Sequence, residues 1–192
     1  IVDPQMAFSM TNYILMAVLN YQRCWYDFQD AQKRNHWAQF EFDEKNLKVG
    51  ILGIGHLGMD AANALHRLGF EVFGYSNSSK ETIFPSFYGN QLKEFLKKIN
   101  VLICTVPLTP KTRGLLSTKL FNNLVFPTYL INVSRGAVHV ENDIIRAIEE
   151  GKLTGAFLDV FEKEPLPNNS PLWQNPKIKI TPHIASLTYA KE

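Results

Sequence analysis

Four side chains of this sequence are of types, and stand in settings, that could do chemistry together. Arg135 follows the apolar run Tyr129-Leu130-Ile131-Asn132-Val133, and an Arg fork can hold a carboxylate through two parallel hydrogen bonds. Asp159 and Glu164 lie in Asp159-Val160-Phe161-Glu162-Lys163-Glu164-Pro165, and His183 lies in Thr181-Pro182-His183-Ile184-Ala185. An imidazole passes protons near neutral pH, and a nearby carboxylate can orient the ring and raise its proton affinity. Binding of an acid and transfer of a proton are the chemistry open to such a set. Taken singly, Arg135 reads more simply as a surface salt-bridge residue, Glu164 as a loop carboxylate and His183 as a satisfied polar group, and it is their joint occurrence that reverses this.

Each segment follows a short apolar run, which places all of them at one edge if those runs are parallel strands, the edge where ligands of open α/β sheets bind. Runs at 48–52, 71–75, 101–106, 129–133, 153–160 and 178–180 alternate with helical patterns at 56–68, 91–99, 117–122 and 141–150. Val101-Leu102-Ile103-Cys104 is apolar on both faces, as a strand covered on both sides must be. The pattern predicts an α/β fold, a Rossmann-type doubly wound parallel sheet. Ahead of it, Met6, Met10, Tyr13, Ile14, Ala17, Val18, Tyr21, Cys24, Trp25 and Phe28 keep helical spacing and predict one long amphipathic helix. Its wide face would pack on this chain's core or on a second subunit. Residues 32–46 read as a connector, and the loop-rich stretches 76–90 and 162–175 would line a cleft.

The run at 49–52 leads into Gly53-Ile54-Gly55-His56-Leu57-Gly58 and then into an amphipathic helix. In that setting Gly53 permits the tight turn, Gly55 lets the backbone approach a pyrophosphate, and Gly58 lets helix and strand pack closely. The helix start, at His56 and Leu57, offers N–H groups and partial positive charge to phosphates. A glycine-rich turn without ligand is the plainer alternative. The next strand ends in Ser76-Asn77-Ser78-Ser79-Lys80, with no acid before Glu81. An acid there would bind a ribose 2′-OH and repel a 2′-phosphate, so Ser76, Asn77, Ser79 and Lys80 favour NADP(H) over NAD(H).

Composition bounds the reading. The chain has 192 residues, 45% hydrophobic and 20% charged, with net charge +2, a globular composition without the concentrated basic face of a nucleic-acid binder. No stretch approaches the roughly 20 apolar residues of a membrane span, and no signal peptide is evident. Cys24 and Cys104, far apart in apolar surroundings, read as buried thiols of a reducing compartment, hence a cytoplasmic protein. The chain begins at Ile1, which suits a piece of a longer protein. His36, His56, His66 and His139 read as structural or solvent side chains, and Lys93, Lys97 and Lys98 as a solvated helix face.

In this order, the glycine turn, Val133-Ser134-Arg135-Gly136, Asp159-Val160-Phe161 with Glu164-Pro165, and Pro182-His183-Ile184-Ala185 closely resemble the D-isomer-specific 2-hydroxyacid dehydrogenases from about residue 48 to 187. Val140-Glu141-Asn142-Asp143, Ser170-Pro171-Leu172-Trp173 and the non-acidic end of the second strand look most like the glyoxylate and hydroxypyruvate reductases of that family. The resemblance implies that Arg135 binds a substrate carboxylate, His183 donates the proton as hydride arrives from the nicotinamide, and Glu164 partners His183. It implies cofactor contacts at Asp159 on the nicotinamide side, at Thr105, Val106 and Pro107, and at Val133, Ser134, Ala185 and Ser186. Trp37 matches an aromatic that some members extend into the partner's active site, although packing is its commoner role. The small 2-oxo or 2-hydroxy acid and a homodimer follow from the same resemblance.

It further implies residues 1–46 as a helix and dimerisation arm, 47–187 as the NAD(P)-binding domain and 188–192 as the start of a return to a second domain that is largely absent. A chain so composed would bind dinucleotide but turn over slowly or not at all. An NAD-linked dehydrogenase of another 2-hydroxy acid, phosphoglycerate- or lactate-like, and a dinucleotide-sensing scaffold like the corepressors of this fold are the alternatives.

Overall fold

The computed structural model describes residues 3–42 and 44–187. The expected return segment at 188–192 lies outside them. Seven strands, β1 (Lys48–Leu52), β2 (Glu71–Ser76), β3 (Ser86–Tyr88), β4 (Val101–Cys104), β5 (Thr128–Asn132), β6 (Leu153–Leu158) and β7 (Ile178–Ile180), form one parallel sheet in the order β3-β2-β1-β4-β5-β6-β7. The chain runs outward from β1 to β3 and then returns to β4 on the other side of β1. That reversal leaves a crevice at the carboxyl ends of β1 and β4.

The helices α1 (Pro4–Gln22), α2 (Trp25–Lys33), α3 (His56–Arg67), α4 (Leu92–Leu96), α5 (Thr118–Phe121) and α6 (Glu141–Glu149) supply the layers. Strand side chains alternate faces, and here both faces are covered. Ile51, Ile103, Ile131 and Phe157 pack with Ile14 and Val18 of α1 and Leu65 of α3. Leu52, Leu102, Leu130 and Leu158 pack with Phe95 of α4, Phe121 of α5 and Ile144 of α6. The doubly wound parallel sheet expected from the sequence is therefore present, and α1 belongs to its core.

Three local expectations are corrected. The helix predicted over 6–28 is two helices, broken at Cys24, whose φ of 54° is left-handed. Lys45 Nζ donates to the Tyr21 carbonyl at 3.2 Å and to Cys24 Sγ at 2.8 Å, supplying a partner for a carbonyl at the helix end. Tyr21 stacks on Tyr129 at 3.8 Å between ring centres and so ends the sheet-packing stretch, whereas α2 buries only Ala31. Apolar spacing alone does not reveal such a break. The stretch 76–90 is not all loop, because Ser86–Tyr88 adds an edge strand too short to show a period. The helix expected over 91–99 is confined to Leu92–Leu96, entered through a 3₁₀ turn at Gly89–Gln91.

Candidate active site

β1 leads directly into the glycine turn, and its three glycines do different work. Gly53 has φ +108°, and a Cβ there would also meet Val106 at 2.9 Å. A Cβ on Gly58 would fall 2.2 Å from the Gly53 carbonyl oxygen, so only glycine lets α3 approach the strand end. A Cβ on Gly55 would meet nothing within 4 Å. Gly55 therefore leaves open room in front of the first turn of α3, where N–H groups are unsatisfied by the helix itself and Gly55 has no side chain to cap them. Thr105 Oγ1 donates to the Gly53 carbonyl at 2.8 Å and ties this turn to the end of β4.

In front of the turn lies a cleft of about 590 Å³, with Gly53, Gly55, Ser76, Asn77, Ser78 and Lys80 on one side and Val106, Pro107 and the 109–112 loop on the other. No acid is among its lining residues, while Lys80 and Lys111 are. Ser78 lines it where the sequence pointed to Ser79. Lys111 and its neighbours beyond Pro107 were missed, because nothing in Leu108-Thr109-Pro110-Lys111-Thr112 marks them as facing a cleft. The room, the donor-bearing helix start and the acid-free lining fit a dinucleotide phosphate.

At the ends of β5, β6 and β7 the groups that the sequence suggested for proton transfer come together. His183 Nδ1 lies 2.7 Å from Glu164 Oε2, while the Phe161 N–H donates to Glu164 Oε1 at 2.9 Å. Burial acts to raise the Glu164 pKa, but the hydrogen bonds from His183 and Phe161, with the fields of His183 and Arg135, outweigh it and hold the carboxyl below its ordinary range. Arg135 is thus close enough to act on Glu164, and its Nη1 donates to the Ser134 carbonyl at 2.6 Å. With Nδ1 turned to the carboxylate, Nε2 is the ring nitrogen of His183 that Glu164 does not occupy. Beside the pair, Phe161, Leu166, Trp173, Ile180 and Pro182 line an apolar hollow of about 710 Å³.

His183 itself sits at φ 55°, a conformation a non-glycine residue keeps only when its surroundings hold it. The holder is Asp159. Its backbone oxygen accepts the His183 N–H at 2.8 Å, its Oδ1 accepts from Ile184 N–H at 2.9 Å and Thr181 Oγ1 at 2.7 Å, and its Oδ2 accepts from Ala185 N–H at 2.8 Å. Tyr13 on α1 bonds to Thr181 Oγ1 and donates to Asp159 Oδ1 at 3.3 Å, and burial raises the pKa of its phenol above the ordinary value. Where the sequence suggested that Asp159 touches the nicotinamide end of a cofactor, the structure shows a carboxylate 0% exposed and committed to the 181–185 turn.

Val133, Ser134 and Ala185 are also buried, Ser134 Oγ donating to Asn132 Oδ1 at 2.8 Å. Ser186 is half-buried, and His56 is exposed at the start of α3. Trp37 lies away from both hollows, 86% exposed, its Nε1 reaching only Gln39. Tyr13 escaped the sequence reading because its partners, Asp159 and Thr181, are remote in the chain, and Asn132 because an amide at the end of an apolar strand carries no mark of its contacts with Ser134 and His139. Among the described residues no cluster could hold a metal ion, and no helix is long and apolar enough to cross a membrane.

A sequence profile of the "D-isomer specific 2-hydroxyacid dehydrogenase, NAD binding domain" family matches residues 15–185. Glyoxylate/hydroxypyruvate reductase A of Photorhabdus laumondii is 43% identical over 189 residues, 97% of this chain and 60% of that protein. A probable 2-hydroxyacid dehydrogenase from Rhizobium etli, solved with NADP, HEPES and L(+)-tartaric acid, superposes with a TM-score of 0.93 at 36% identity, over 98% of this chain and 62% of that one. An NADPH-dependent glyoxylate/hydroxypyruvate reductase from Sinorhizobium meliloti, solved with NADP and sulfate, gives 0.93 at 34% identity, over 97% and 61%. The chain thus spans about 60% of the length of the curated relatives it matches.

Proposed function

This chain belongs to the D-isomer-specific 2-hydroxyacid dehydrogenases, and from that premise we propose that it is the cofactor-binding and proton-donating part of an NADPH-dependent reductase of small 2-oxo acids, glyoxylate or hydroxypyruvate. The observation that carries the reading is the His183–Glu164 pair, 2.7 Å apart, at the same sheet edge as the phosphate-binding turn and under the field of Arg135. The nicotinamide, when bound, supplies the hydride. Gly53, Gly55 and the first turn of α3 hold its pyrophosphate, while Ser76, Asn77, Ser78 and Lys80 take the 2′-phosphate, which a cleft lined without acid does not repel.

Arg135 grips the substrate carboxylate through its fork and so aligns the adjacent carbonyl. His183 gives a proton from Nε2 to the carbonyl oxygen, where negative charge develops, and Glu164 at Nδ1 stabilises the charged ring and fixes its orientation. Asp159 and Tyr13 keep the ring in place. The exposed Trp37 and Phe40 of the connector and the exposed Phe8 and Met16 of α1 suit a homodimer in which Trp37 approaches the partner's site. The protein works in the cytoplasm.

Calorimetric titration of the chain with NADPH and with NADH tests the cofactor, with NADPH expected to bind tighter by at least tenfold. Tighter NADH binding removes the 2′-phosphate assignment and favours an NAD-linked dehydrogenase; binding of neither removes the reading of the cleft. Consumption of NADPH with glyoxylate tests the chemistry, at a rate expected to be low for these 192 residues and lost in Arg135→Ala and His183→Ala. Undiminished turnover in either variant refutes the role of the residue replaced.

A further inference from the structure

Among the described residues one buried side-chain nitrogen has no hydrogen-bond partner, Nε2 of His139, a residue 2% exposed that the sequence marked only as structural or solvent. Its neighbours dictate which ring nitrogen carries the proton. The Ser134 N–H can only donate, and it does so to Asn132 Oδ1 at 3.0 Å. The other end of that amide, Nδ2, is therefore the donor that faces His139 Nδ1 at 2.8 Å. Nδ1 accepts, and the neutral ring carries its proton on Nε2.

That N–H lies 3.9 Å from Glu141 Oε1, beyond hydrogen-bond length but within electrostatic reach, and the same oxygen accepts the Glu162 N–H at 3.1 Å. The backbone beneath the ring is held independently, since Leu116 pairs with His139 in a short parallel bridge and the His139 N–H donates to Gly136 O at 3.0 Å.

These contacts meet both loops of the proton-transfer site. Asn132 Nδ2 also reaches the Arg135 carbonyl at 3.4 Å, and Glu162 stands two residues before Glu164 in the loop that presents it. The loops meet backbone to backbone where a Cβ on Gly136 would fall 1.8 Å from the Phe161 carbonyl. We propose that His139 is a positioning residue that, as the Nε2–H tautomer, links Asn132 to Glu141 and holds the Arg135 turn and the 162–164 loop at one spacing. Its value to the enzyme rests on the reading of Arg135, Glu164 and His183 above, but the measurements below need neither cofactor nor substrate, so it can fail while that reading stands.

Nitrogen-15 NMR of the imidazoles in the unaltered chain reads the tautomer. A proton on Nε2 with Nδ1 bare is expected; a proton on Nδ1 overturns the proposal. His139→Phe removes both interactions. It should speed hydrogen exchange of the Glu162 amide about five- to tenfold, the factor one ordinary hydrogen bond represents, and raise the titration midpoint of the Glu164 carboxyl.

His139→Gln, which can put an N–H group in place of Nε2–H, should return the Glu162 exchange to within about threefold of the unaltered chain, again less than one ordinary hydrogen bond. A Glu164 midpoint and a Glu162 exchange rate both unchanged in His139→Phe refute the positioning role. Should that variant fail to fold, the tautomer read in the unaltered chain carries the test: a proton on Nε2 with Nδ1 bare supports the proposal and a proton on Nδ1 refutes it.

Discussion

Replacing Asp159 by Asn tests the claim that a buried carboxylate holds His183 in its left-handed conformation. The side chain keeps its shape and loses its charge. Its two oxygens accept four hydrogen bonds, from Tyr13, Thr181 and Ile184 at Oδ1 and from Ala185 at Oδ2. The better placement of the new NH₂ group is at the Oδ2 site, where it confronts the Ala185 N–H and leaves that donor unpaired, at about 1–3 kcal/mol. The three remaining bonds fall from charged to neutral strength at about 1 kcal/mol each, and relief from burying a charge offsets part of the total.

A net loss of about 2–4 kcal/mol lowers Tm by about 5–15 °C for a chain of this size. The assay is thermal unfolding by circular dichroism, with amide exchange at Ile184 and Ala185 measured alongside. The Ala185 amide should lose protection more than the Ile184 amide, while the His183 N–H, bound to the Asp159 backbone oxygen, is spared. A Tm within about 2 °C of the unaltered chain, under 1 kcal/mol by the same conversion, refutes the account, as does equal loss of protection at all three amides.

The glycines of the turn should separate by role: Gly58→Ala, whose methyl meets the Gly53 oxygen at 2.2 Å, costs about 1–3 kcal/mol in urea unfolding, whereas Gly55→Ala leaves stability within about 0.5 kcal/mol and weakens NADPH binding at least tenfold. Glu164 is depressed, so the stabilisation from its pairing with His183 is present above the ordinary carboxylate range and is lost as pH falls through the folded value. Carboxyl-carbon NMR should place its midpoint below the ordinary value, and His183→Ala should move it upward; being about a third exposed, the pair adds little to overall stability. Cys104 is 0% exposed and burial pushes its thiol up to about 11, so thiol-directed alkylation at pH 7.5 should leave it unmodified in the folded chain and label it after denaturation.

Much of this was legible in the chain because the signals are local. The glycine turn could be read, even to the division of labour among Gly53, Gly55 and Gly58, because strand, turn and helix follow one another within a few residues. Likewise the alternation of apolar runs and helical patterns exposed the doubly wound sheet, and their ends pointed to the edge where Arg135, Glu164 and His183 stand. Harder to see were the break at Cys24, which turns on a lysine 21 residues away, and the edge strand Ser86–Tyr88, three residues long. Both arise from neighbours that sequence periodicity does not contain.

The sequence by itself determined the fold class, the glycine turn and which side chains have the chemistry to bind an acid or move a proton, since these depend on residue type and short spacing. Tertiary structure decided how those groups are held. Asp159 grips the His183 turn with Tyr13 contributed from 146 residues earlier in the chain, and Glu141 accepts a hydrogen bond from the Glu162 N–H of the neighbouring loop. A hydrogen bond of that kind exists only once the sheet has brought distant strand ends side by side and excluded water from between them, and neither condition is written in any local run of residues.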